Sequence, residues 1–96
     1  MDELVTRWRD FQANPFPQEC VGHEIQGIDL VALDTFTSGC ISAYIEHNGE
    51  LDAQRRAVLQ TCIQELQTAT VQLQGAARAY FGQLLGLAAR VIDKLA

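Results

Sequence analysis

The chain has 96 residues, of which 48% are hydrophobic, 20% charged and 7% aromatic. That describes one domain with a modest core of its own, and it excludes a disordered, collagen-like or disulfide-stapled chain. Formal net charge is −5, and residues 1–48 carry eight acids against two arginines while residues 49–96 carry four acids against five bases.

No basic stripe is present, so neither the phosphate backbone of a nucleic acid nor an anionic membrane is an expected partner. Cys20, Cys40 and Cys62 make an odd count with no CxxC spacing. They read as free thiols and point to a cytoplasmic location. Met1-Asp2-Glu3-Leu4 lacks the basic and apolar regions of a signal peptide, and no apolar run approaches the roughly 18 residues a transmembrane helix needs.

Residues 2–13 read as a short amphipathic helix, with Leu4, Trp8 and Phe11 on one face. Asn14-Pro15 ends it, because the residue before proline is pushed out of the α region. Residues 14–20 form a stiff connector in which Phe16, between Pro15 and Pro17, anchors on the bundle. Residues 20–28 are ambiguous, either an irregular turn or a short extended piece. No strand pair is expected. Asp29 is a good N-cap for a helix running to His47, and Asn48-Gly49 stops it, with Gly49 suited to the left-handed C′ position.

A further helix starts near Leu51-Asp52. Leu59, Ile63, Leu66, Thr70 and Leu73 follow at heptad spacing, and the same register continues through Ala77, Tyr80, Leu84, Leu87 and Val91. Two readings compete. Gly75 is a helix–helix turn, giving helices 29–47, 51–73 and 76–95, or residues 52–95 form one helix of about 65 Å. The matched lengths favour the turn. The fold class is all-α: a small antiparallel helical bundle over residues 29–95 with a short N-terminal helix.

Charge is missing where a helix surface should carry it. Residues 57–77 contain only Glu65, residues 79–89 no charge, and Leu30–Ile45 only Asp34. Such helices are buried nearly all round, and helix 29–47 is expected to be the most buried. Either helix 76–95 is the central helix of a four-helix bundle whose last side helix 2–13 closes, or part of this surface is a homodimer interface, the favoured reading, with Leu66, Leu73, Tyr80, Leu84 and Leu87 as anchors. Gly82-x-x-x-Gly86 reads as a tight helix crossing, or alternatively as a slot for a ligand or partner side chain.

Candidate chemistry is sparse. Asp34 lies among apolar neighbours, where a carboxylate can serve as an acid or base. A tight turn at residues 48–50 would set it beside Gln64 and Glu65. Cys20, His23 and Glu24 make half a zinc site at most. Cys40 and Cys62 read as small core residues, and Arg55-Arg56 as a surface pair for Glu46, Glu50 or Asp52. No catalytic set assembles, and no cofactor or metal is implied. The chain therefore reads as a non-enzymatic protein acting through protein–protein contacts and self-association. The alternative is a small-molecule or metal-binding bundle with a site near Asp34, Tyr44 and His47.

Overall fold

A computed structural model of the chain describes residues 2–95. Four α-helices pack against one another: α1 (Asp2–Gln12), α2 (Leu30–Glu46), α3 (Ala53–Thr70) and α4 (Gly75–Leu95). Leu4, Trp8 and Phe11 bury one stripe of α1. Beyond it, Phe16 meets the rings of Tyr80 and Phe81 edge-on at 5.5 and 5.9 Å, as its place between two prolines predicted. One turn of 3₁₀ helix (Gln18–Cys20) follows.

The ambiguous stretch is a small antiparallel hairpin, which corrects the expectation of no strand pair. Strand β1 (Glu24–Ile25) pairs with β2 (Ile28–Asp29), Glu24 opposite Asp29 and Ile25 opposite Ile28. Gln26 and Gly27 turn between them with φ of 51° and 80°. Two consecutive left-handed residues match the right-handed twist of a tight hairpin. Glutamine is a poor signal for that geometry, which hid the turn.

Asp29 leaves the hairpin as the N-cap of α2, its carboxylate accepting from the amides of Val31 and Ala32 at 2.9 and 3.1 Å. The helix ends in a Schellman arrangement: Gly49 N–H donates to the Tyr44 carbonyl at 2.8 Å and Asn48 N–H to that of Ile45 at 3.2 Å. With His47 as C-cap, the left-handed C′ residue is Asn48, at φ 56°, and Gly49 follows it at φ 92°. Asparagine tolerates this conformation because its short polar side chain bonds locally. Asp52 caps α3 through the Arg55 amide at 2.7 Å and pairs with the Arg55 guanidinium.

The chain turns back between α3 and α4, so the single 52–95 helix does not form. The turn is Val71–Gln74, three residues earlier than the helix end expected at 73, and Gly75 enters α4 at φ 59°. That reversal folds the heptad seam onto itself. Leu59 and Leu66 of α3 and Leu84, Leu87 and Val91 of α4 are all buried in one core, with Leu73 and Tyr80 at its edge. Helix α4 is the common partner of the other three helices. Among the described residues, no helix is long and apolar enough to cross a membrane.

Candidate functional site

Helix α2 has the largest share of buried residues of the four helices, as expected, yet part of it is left in water. It is apolar on two faces, and only one is covered. Leu30, Leu33, Thr37, Cys40, Ile41 and Tyr44 point inward. On the outside, Phe36 is 61% exposed and Val31 41%, with Val58 of α3 beside Phe36 at 37%. Phe36 stands between two shallow grooves of about 390 and 300 Å³. Thr35, Gly39, Gln54 and Arg55 line the first, and Ala57, Thr61, Cys62 and Glu65 the second, while Phe36 and Val58 belong to both. Among the described residues, each groove has a single charged residue, Arg55 in one and Glu65 in the other. A monomer normally has a charged outer face on such a helix pair.

The five residues read as interface anchors lie elsewhere. Leu66, Leu73, Tyr80, Leu84 and Leu87 are all buried within the chain's own core. Their heptad spacing records the packing of α3 on α4 inside one molecule, and a contact between copies has to use other surface. The Gly82/Gly86 pair is corrected too. A Cβ built at either glycine meets nothing within 4 Å. The pair marks no close helix crossing, and Gly86 only lines a shallow groove beside Arg7, Phe11 and Arg90.

Asp34 has a partner that sequence distance concealed. Tyr80 of α4, rather than Gln64 or Glu65, donates its hydroxyl to the Asp34 carboxylate at 2.7 Å. Tyr80 belongs to an aromatic cluster, with ring centroids 4.7 Å from Phe11 and 5.2 Å from Phe81. Burial, then the hydrogen bond and charge of Asp34, push the Tyr80 phenol far above its ordinary value. Burial raises the Asp34 carboxyl, and the Tyr80 bond partly offsets it. A phenol that holds its proton and one carboxylate that accepts from it join α2 to α4. They do not make a nucleophile and base.

The sign of each shift gives a prediction. A raised carboxyl means that stability falls as pH climbs through the window above the ordinary value near 3.8. Asp34→Asn keeps an oxygen for Tyr80 and removes the charge. It should melt above the parent at pH 7, with the gap closing below about pH 4. Tyr80→Phe should cost about 1–2 kcal/mol at pH 7 by removing the donor. Tyr80 contributes fully below its ordinary value of 10.0, and this is lost as pH rises beyond it. Tyr80→Phe should therefore flatten the alkaline loss of stability above about pH 10. The three buried cysteines, also raised by burial, keep part of that loss in both proteins. Thermal melts from pH 3 to 11 measure all of these effects.

The residues of the alternative ligand site are not gathered. His47 lies thirteen residues beyond Asp34, about 20 Å along α2, and its ring nitrogen bonds the Ala43 carbonyl at 2.8 Å. Tyr44 is in the core. Among the described residues, no three His, Cys, Asp or Glu side chains stand together as a metal would require. Cys20, Cys40 and Cys62 are buried free thiols. The Cys40 Sγ lies 3.6 Å from the Arg55 carbonyl and ties α2 to α3. Arg55 pairs with Asp52, one of the three acids expected for it.

Comparison of the chain with protein-family models, curated proteins and solved structures finds no match. Among the described residues, the fold offers an apolar face left in water on α2 and α3 and a half-buried Asp34–Tyr80 link.

Proposed function

We propose that this chain is a non-enzymatic helical protein that works by protein–protein contact, and that it self-associates through the α2–α3 face around Phe36. The supporting observation is Phe36 itself, a large aromatic side chain left mostly in water between two charge-poor grooves. A twofold contact sets a surface against its own copy and so needs a knob and a recess on the same patch. Phe36 and its flanking grooves supply both. Aromatic side chains with depleted surrounding charge are the usual centre of such a contact. The buried free thiols support a reducing compartment such as the cytoplasm.

Light scattering behind a sizing column, over a hundredfold concentration range, tests this reading. The parent should run as a dimer at the upper concentrations. Phe36→Gln, helix-compatible and outside the core, should keep a cooperative melt and weaken association by at least about 30-fold, since both copies lose a central anchor and one such anchor is worth about 2 kcal/mol. A strictly monomeric parent, or a dimer indifferent to Phe36, overturns the proposal.

A further inference from the structure

The two grooves differ in one respect that a symmetric contact can use. Arg55 closes one and Glu65 the other, and among the described residues neither groove has any other charged residue. The two are ten residues apart on α3, a rise of about 15 Å, with Gln60 midway. Phe36 lies level with that midpoint, since it shares one groove with Arg55 and Val58 and the other with Ala57, Thr61 and Glu65. Turning a second α3 end for end at that level, about the Val58 side of the helix that lines both grooves, exchanges the positions of Arg55 and Glu65. The exchange sets each cation opposite an anion and brings each Phe36 ring to the axis, beside the partner's ring and against the edge of the partner's grooves.

We infer that two copies of this chain pack with their α3 helices antiparallel about a twofold axis beside Val58 and Phe36, Arg55 of each meeting the partner's Glu65. This rests on the self-association reading above and adds a register to it. Each chain carries a net charge of −5, so two copies repel overall. A face with a cation at one end and an anion at the other reduces that repulsion locally when a copy is turned end for end. Arg55 has the donors for this contact. Its guanidinium bonds Asp52 through one nitrogen, and its side chain is 55% exposed. The remaining N–H groups of the fork are free to reach a carboxylate on the facing helix.

The test is charge reversal with complementation. Arg55→Glu sets glutamate against glutamate at both ends of the contact, and Glu65→Arg sets arginine against arginine. Each variant alone should dissociate at about tenfold higher concentration than the parent, or more. An equimolar mixture of the two should recover parent-like association, because both junctions of the mixed dimer are again opposite in sign. Arg56→Glu, on the same helix but outside both grooves, should leave association unchanged. Analytical ultracentrifugation of each protein and of the mixture, with melting curves to show that each is folded, reads every arm. Recovery in the mixture supports the register. If Phe36→Gln disrupts the dimer but the mixture associates no better than its components, the register is overturned and the self-association reading stands. A parent that stays monomeric overturns both.

Discussion

Leu84→Asp should leave the chain without a cooperative thermal transition under conditions where the parent is folded. Leu84 is fully buried on the helix that the other three pack against. Truncating such a leucine to alanine costs about 2–5 kcal/mol through lost transfer energy and a residual cavity. Aspartate adds a carboxylate with no partner in an apolar core, a further cost of several kcal/mol, against a total stability of roughly 5–15 kcal/mol for a domain this size. Circular dichroism and a one-dimensional proton spectrum give the result. Leu84→Ala should remain folded and melt lower, which separates a core position from a general intolerance of substitution. Leu73→Asp, at the rim of the core beside the α3–α4 turn, should be destabilised but milder. Had α3 and α4 met across a dimer seam, as the heptad register permits, both acidic variants would have kept their fold and lost only mass.

The second large effect has the opposite sign. Gly82→Ala and Gly86→Ala together should raise the melting midpoint by about 10 °C. A glycine inside a helix costs about 1 kcal/mol relative to alanine, because the unfolded chain loses more freedom on ordering it. At both positions the added methyl meets no atom within 4 Å. Nothing offsets the gain, and about 2 kcal/mol in a domain of this length corresponds to that shift. Differential scanning calorimetry of the double variant is the measurement. An unchanged or lowered midpoint would mean that α4 is approached closely by something at this face after all. Gly39→Ala of α2 is a useful third case. Its methyl also meets no atom of the chain, so the fold should gain, but it projects into the groove beside Phe36. Weaker self-association with a higher melting point would separate the two consequences.

Local chemistry was legible in the sequence where it is strictly local. The Asp29 cap, the Asn14-Pro15 stop, the Asn48-Gly49 stop and the docking of Phe16 all follow from a few neighbouring residues. So did the all-helical class and the reversal near Gly75, which rested on matched helix lengths. What escaped depends on residues far apart in the chain. Heptad spacing says that two helices meet, but the same spacing describes a turn within one chain and a seam between two. That ambiguity placed Leu66, Leu73, Tyr80, Leu84 and Leu87 at an interface. The Asp34–Tyr80 bond spans 46 residues, and no pattern short of the packed fold predicts it. Gly82-x-x-x-Gly86 misled because it resembles a packing motif while facing open space. Phe36 escaped for a related reason. In a helix that is apolar on two faces, sequence alone does not say which face the rest of the chain will cover.

The placement of α1 has a consequence for how unfolding is observed. Its apolar stripe rests chiefly on α4, more than sixty residues away in sequence, whereas α3 and α4 are joined by a four-residue turn. Short loops close at small entropic cost and long ones at greater cost, so the α3–α4 pair is expected to form early and α1 to dock late. The same element is expected to be the first to open from the native state. Trp8, the chain's one tryptophan, is on α1 and stacks on Phe11. Its fluorescence therefore tracks the seating of one peripheral helix, while far-ultraviolet ellipticity is dominated by the three long helices. Agreement between the two signals would show that α1 and the bundle behave as one cooperative unit. A fluorescence change that precedes the loss of ellipticity would isolate the free energy with which this helix closes the aromatic cluster over Tyr80.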